Sequence, residues 1–226
     1  MALILSLETS TDVCSVALHE SGELIGHQLH QVEKSHSSLL PGIVLKICDE
    51  AGVDMKSLKA VAVSEGPGSY TGLRIGISTA KGFAYTLNTP IIAIPTLDVI
   101  LEAVRGKFKG DHLLCAMMDA RRMEVYLKME DQAGNEVLAT QPMILEEDTF
   151  SDYTLPTYLF GNGMPKFKEI SSQQNLIFID EIVPDAANMG SLALSKYQVE
   201  DFEDVAYFEP NYLKEWRTTT PKKKLV

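Results

Sequence analysis

Cysteine is scarce. Only Cys14, Cys48 and Cys115 occur in 226 residues, and they stand far apart in odd number. That spacing offers neither a disulfide framework nor a zinc ligand pair, and it suits a reducing compartment. Basic residues are also few, 20 Lys and Arg against 31 Asp and Glu, for a net charge of -11. Such a surface does not by itself grip nucleic acid phosphates or anionic membranes, so any service to RNA requires another protein to hold the RNA. Long apolar runs are missing too. Ala2 to Leu7 meets Glu8 too early for a signal peptide, and no later run approaches the length of a membrane span. The expected location is the cytoplasm. No Gly-Lys-Ser/Thr ends the main glycine-rich loop, which rules out a Walker loop.

What is present centres on Ser64 to Gly76, the stretch S-E-G-P-G-S-Y-T-G-L-R-I-G. The apolar run Ala60 to Val63 leads in as a buried strand. Leu73, Ile77, Ala80, Ala84 and Leu87 lead out at helical spacing. Gly66-Pro67-Gly68 makes the turn between them, and Ser69 or Thr71 can cap the helix. A strand, a glycine-rich loop and an exposed helix N-terminus together favour an anion. Gly72, Gly76 and Ala80 also form a stripe of small residues at i, i+4 and i+8. Two glycines within a helix cost roughly 1 kcal/mol each, so a tertiary contact must offset them. Two readings stay open: packing against the chain's own core, or a helix pair across a subunit boundary.

Ahead of this stretch, residues 2–8, 13–18 and 24–29 read as a three-strand meander, and a helix follows from Ser35 to Gly52. After it come a strand at 91–95 and a helix at 97–104. The polar stretch 105–110 is the expected boundary between domains 1–105 and 106–226. The second half predicts strands at 113–118, 124–129, 136–145, 157–160 and 176–179, with helices at 165–171 and 186–197. Both halves open with three strands before any long helix, a faint internal echo.

Several groups invite chemistry. Glu8-Thr9-Ser10-Thr11-Asp12 joins two strands and can hold a phosphate or a hydrated magnesium ion. The same residues also make ordinary hairpin turns. Asp119-Ala120-Arg121-Arg122 can present a guanidinium fork in a cleft between domains, or a solvated turn. Gly161-Asn162-Gly163 can approach a ligand. His27 and His30 fall on opposite faces of a strand and make poor co-ligands. No nucleophile, base and orienter set is visible, so protease chemistry is disfavoured. A stand-alone ATP-using enzyme, with Glu8 or Asp12 orienting a metal, is the alternative to a binding role.

The stretches I-L-S-L-E-T-S-T-D-V-C-S-V-A-L at 4–18, S-H-S-S-L-L-P at 35–41, S-E-G-P-G-S-Y-T-G-L-R-I-G at 64–76, I-P-T-L-D at 94–98, D-A-R-R-M-E-V-Y at 119–126 and P-N-Y-L at 210–213 resemble, in order, the TsaB or YeaZ family. The resemblance implies an α/β fold of two RNase H-like lobes from the actin-like ATPase superfamily of sugar kinases and heat-shock ATPases, the second lobe short. It implies a non-catalytic paralogue of TsaD, acting in the making of threonylcarbamoyladenosine beside the anticodon of tRNA. Expected partners are a TsaD-like protein as heterodimer and a TsaE-like ATPase, with a homodimer when alone and tRNA reached only through the complex. No cofactor or metal of its own is implied, and ATP or ADP is a candidate only at the interface of the complex. TsaD-like relatives carry a metal-binding H-x-x-x-H where this chain has Ile94 to Asp98, without histidine. Carried over as interface candidates are Ser35, His36, Leu39, Leu40, Ile43, Thr71, Gly72, Ile75, Gly76, Thr79, Ala80 and Phe83.

Overall fold

Alternating and continuous apolar runs resolve into two five-stranded sheets of the same design. In the computed structural model, which describes residues 2–31 and 36–214, the first sheet has the order β3-β2-β1-β4-β5. Its strands are β1 (Leu3–Glu8), β2 (Val13–Glu20), β3 (Glu23–Gln31), β4 (Ala60–Gly66) and β5 (Ile91–Pro95). β2 runs antiparallel to β1 and β3, while β1, β4 and β5 are parallel. The second sheet, read from β8, repeats that order as β8-β7-β6-β9-β10. It is built from β6 (Leu113–Asp119), β7 (Glu124–Asp131), β8 (Glu136–Ile144), β9 (Thr157–Phe160) and β10 (Leu176–Ile179). The faint echo in the sequence is thus a real duplication of topology, two RNase H-like lobes in an α/β chain.

The parallel strands demand crossover connections, and helices supply them. α1 (His36–Glu50) and α2 (Tyr70–Leu87) cover one face of the first sheet and pack against each other. Leu40, Ile43, Val44, Ile47 and Cys48 of α1, with Ile77, Ala80 and Ala84 of α2, join the strands in one core. Cys14 is part of it, as a small apolar residue. Ser69 is the N-cap of α2, its hydroxyl accepting from the Gly72 amide at 3.2 Å, and Asn88 ends the helix in the left-handed conformation.

α3 (Thr96–Glu102) lies between the lobes. Its Leu97, Ile100 and Leu101, with Val104, pack on Leu114, Ala116, Met118 and Phe160 of the second sheet. Charges pin the same junction. Lys128 donates to Asp98 at 2.6 Å, and Arg105 reaches Glu102 at 2.7 Å and the buried Glu130 at 2.6 Å. The second lobe is small, with only the one-turn helix α4 (Met164–Lys168) between β9 and β10.

The helix expected over 186–197 is instead a 3₁₀ turn, Ala186–Met189, followed by α5 (Gly190–Gln198). Tertiary contacts cause the break. The Ala186 amide donates to Ser15 Oγ at 2.8 Å, and a Cβ on Gly190 would collide with the Gly22 carbonyl and His19. Ala186, Met189 and Ala193 pack on Ile4, Ala17, Ala62 and Ile92, and Phe208 enters the first core. Residues 186–208 of the expected second lobe, 106–226, therefore pack on the first lobe. Among the described residues, no helix is long and apolar enough to cross a membrane.

Candidate functional site

Between the lobes lies a cleft of about 1110 Å³. The first lobe contributes Ser10, Thr11 and Asp12 from the β1–β2 turn and Gly68 to Thr71 from the start of α2. The second contributes Asp119 and Arg121 from the β6–β7 turn, Glu124, Tyr126 and Asn162. Three stretches singled out separately in the sequence, Glu8 to Asp12, Asp119 to Arg122 and Gly161 to Gly163, meet at this one place or directly behind it. Tyr212 and Lys214, which no sequence motif for a site flagged, complete the rim.

The first-lobe loop is closed on itself. Glu8, Thr9 and Ser10 are buried, Thr11 is half-buried and Asp12 is exposed. The Ser10 carbonyl accepts the Ser69 amide at 2.7 Å, and the Thr9 hydroxyl donates to the Gly72 carbonyl at 2.8 Å. Glu8 Oε1 accepts from the Ser10 amide at 2.6 Å, while its Oε2 has no hydrogen-bond partner among the described residues. Desolvation by burial pushes the Glu8 carboxyl up to about 7, against the opposing pull of Ser10 and Ser64. A carboxyl so enclosed does not reach the cleft to orient a metal's waters. Glu8 therefore does not fit the metal-orienting place in a triphosphate cradle of the kind the actin-like fold suggests, while Ser10, Thr11 and Asp12 stand on the cleft wall. No group of three or more His, Cys, Asp or Glu placed to hold a metal exists among the described residues.

The glycines answer the open question about α2. A Cβ on Gly72 would collide with the Thr9 carbonyl, and one on Gly76 with the Thr9 hydroxyl. The stripe of Gly72, Gly76 and Ala80 is thus filled from within the chain, and those three candidates do not face outward. Leu40 and Ile43 are buried as well. Leu39, Ile75, Thr79 and Phe83 are half-buried and Thr71 is exposed. Ser35 and the side chain of His36 lie outside the described residues. The outer stripe of α2 is Thr71, Ile75, Ser78 and Gly82, at i, i+4, i+7 and i+11, flanked by Arg74 and Tyr85. Tyr85 is 83% exposed, and Leu45 on α1 is 57% exposed.

A tail segment ties this face to the cleft. Lys81 Nζ donates to the Ala206 carbonyl at 3.1 Å, and the Asn211 amide to the Glu65 carbonyl at 2.8 Å. Tyr212 stacks on Tyr70 with centroids 5.0 Å apart and accepts from Arg74 Nε at 3.0 Å, while Arg74 lies 4.0 Å over the Tyr70 ring. Lys214 then forms an ion pair with Glu124 of the second lobe.

On the far wall, Arg121 and Arg122 both take positive φ, 71° and 50°. Non-glycine residues pay roughly 1–2 kcal/mol each for that conformation. The turn is held by Lys166, whose Nζ donates to Asp119, to the Arg122 carbonyl at 2.8 Å and to the Glu124 carbonyl at 2.5 Å. Asn162 Oδ1 accepts from the Asp119 amide at 2.9 Å. Gly161 and Gly163 abut the Met117 and Met118 backbone, so they serve close strand packing rather than a ligand.

Comparison with known proteins fits this layout. A family model described as TsaD, tRNA N6-adenosine threonylcarbamoyltransferase, matches residues 28–214. The "tRNA threonylcarbamoyladenosine biosynthesis protein TsaB" of Haemophilus influenzae is 28% identical over 222 residues, covering 93% of each chain. Its namesake in Escherichia coli is 27% identical over 220 residues, covering 93% of this chain and 94% of that one. A solved structure of YeaZ from Pseudomonas aeruginosa superposes with a TM-score of 0.79 at 28% identity, covering 94% of this chain and 100% of that one. A second structure from the same organism, an uncharacterized protein with similarity to peptidase YEAZ, gives a TM-score of 0.81 at 28% identity, covering 95% of this chain and 100% of that one.

Proposed function

The chain belongs to the TsaD family, and from that premise we propose that it is a non-catalytic scaffold in the biosynthesis of threonylcarbamoyladenosine in tRNA, the process named for its TsaB relatives. It pairs with a TsaD-like protein and, through that pair, meets a TsaE-like ATPase and tRNA. Alone it pairs with a second copy of itself. The paired surface is the outer face of α1 and α2, with Thr71, Ile75, Ser78 and Thr79 at its centre. Any ATP or ADP belongs to the interface of the complex, and the site of action is the cytoplasm.

The observation that carries this reading is the closed first-lobe loop. With Glu8 buried and Thr9 packed against the α2 glycines, the carboxylate that heads the turn belongs to this chain's own core, and Asp12 is the turn's remaining carboxylate on the cleft wall. That weighs against the alternative, a stand-alone ATP-using enzyme.

The test is co-purification with the TsaD-like protein of the same organism, followed by a tRNA modification assay with and without this chain. The reading expects a stable pair and modification only when both are present. Magnesium-dependent ATP hydrolysis by this chain alone, at the rate of an ordinary kinase, would favour the alternative.

A further inference from the structure

The two lobes are joined with unequal strength at α3 and at the rim of the cleft. At α3 the contact is apolar and closed to water, with Leu97, Ile100 and Leu101 against Leu114, Ala116 and Phe160. Its charges include Glu130, which is only 3% exposed. None of the residues lining the cleft belongs to α3. At the rim the link is the ion pair of Lys214 with Glu124, whose side chains are 39% and 25% exposed.

The chain reaches that pair after a long hold on the first lobe. The Glu203 amide donates to the Ile91 carbonyl at 2.9 Å, Lys81 binds the Ala206 carbonyl, and Phe208 is buried in the first core. Gly66, at φ 126°, lies so close to the next stretch that an added Cβ would stand 2.7 Å from the Asn211 carbonyl oxygen. Tyr212 ends the hold, its ring stacked on Tyr70 and its hydroxyl accepting from Arg74. Two residues later the Lys214 side chain crosses to the second lobe. An exposed ion pair contributes little, and an aromatic stack somewhat more. Together they bias the angle between the lobes several-fold and still let go. A buried junction on one side and a weak fastening on the other are the parts of a hinge and a clasp.

We propose that Glu203 to Lys214 form a strap that holds the interlobe cleft closed, with Tyr212 as its anchor on the first lobe and the Lys214–Glu124 pair as its releasable clasp on the second. Release leaves α3 as the hinge and widens the cleft between the β1–β2 turn and the β6–β7 turn. The inference concerns the chain by itself, so it stands or falls independently of pairing with a TsaD-like protein.

The experiment is a spin-label distance measurement by pulsed electron resonance on the full chain carrying Asp12→Cys and Arg121→Cys, two exposed positions on facing walls of the cleft. Cys14, Cys48 and Cys115 are buried and do not compete for the label. The parent should show a narrow, short distance distribution. Tyr212→Ala and Lys214→Glu should each raise the long-distance population several-fold. Tyr212→Phe, which keeps the stack and loses the Arg74 bond, should raise it less than Tyr212→Ala. The reversed pair, Lys214→Glu with Glu124→Lys, should return the distribution to that of the parent, a rescue that unfolding does not give. An unchanged distribution in either Tyr212→Ala or Lys214→Glu, or a reversed pair that leaves the cleft open, would overturn the proposal.

Discussion

Glu8 shows how far one residue's environment departs from its sequence context. On paper it heads a hydroxyl-rich turn suited to metal and phosphate. In the fold it is enclosed, and desolvation raises its carboxyl to about 7. The folded state therefore prefers the protonated form, so this group's contribution to stability is complete below the ordinary glutamate range and is lost as pH rises through about 7. Glu8→Gln, which keeps the acceptor for the Ser10 amide, should stabilise the protein by on the order of 2 kcal/mol at pH 8 and change little at pH 4.5, read by urea denaturation at both. Buried His19 acts with the opposite sign. Desolvation lowers its pKa, so its contribution is present above the ordinary histidine range and falls away as pH drops below it. Nothing in the sequence distinguishes a Glu8 facing a ligand from one facing the core. The difference depends on Thr9 and Ser10 turning inward against Gly72 and Ser69 at the start of α2, residues far from them along the chain.

Among the elements, α2 is where the sequence was most and least informative. Its strand-turn-helix setting, its start near Ser69 and its apolar face follow from spacing and cap chemistry. The role of its glycines did not, because a stripe of small residues looks the same whether filled from inside or outside. The β1–β2 turn fills it here. Gly72→Ala should therefore cost about 1–3 kcal/mol through collision with the Thr9 carbonyl, despite the better helix propensity of alanine. Gly82→Ala, with nothing within 4 Å of the added Cβ, should gain roughly 1 kcal/mol. Thermal denaturation of the two variants side by side checks both signs. The strands of both sheets were also legible, to within two residues at most of their ends, because apolar runs and polar turns alternate cleanly. The 3₁₀ break before Gly190 was not, since it is set by Ser15, His19 and Gly22 across space.

At the scale of the whole molecule, two lobes of one topology share a junction built on α3 and are tied again by residues 186–214. Removing residues 106–226 would expose Leu97, Ile100, Leu101 and Val104 and strip Ala186, Met189 and Phe208 from the first lobe. Fragment 1–105 should accordingly lack cooperative unfolding, as judged by circular dichroism in urea, whereas the whole chain should unfold cooperatively. The lobe repeat was visible in outline from the strand pattern. The cleft was foreshadowed at Asp119 to Arg122, but its full lining was not, because its walls come from four separate stretches and a tail that only tertiary structure brings together. The central claim is that this chain acts through the outer face of α1 and α2 rather than through chemistry of its own. Its most direct test is Ser78→Arg combined with Gly82→Arg, two exposed positions whose change leaves the core untouched. The double variant should keep the wild-type melting temperature within a few degrees, lose co-purification with the TsaD-like partner, and fail to support tRNA modification. A folded double variant that still pairs and supports modification at the wild-type level would contradict the account.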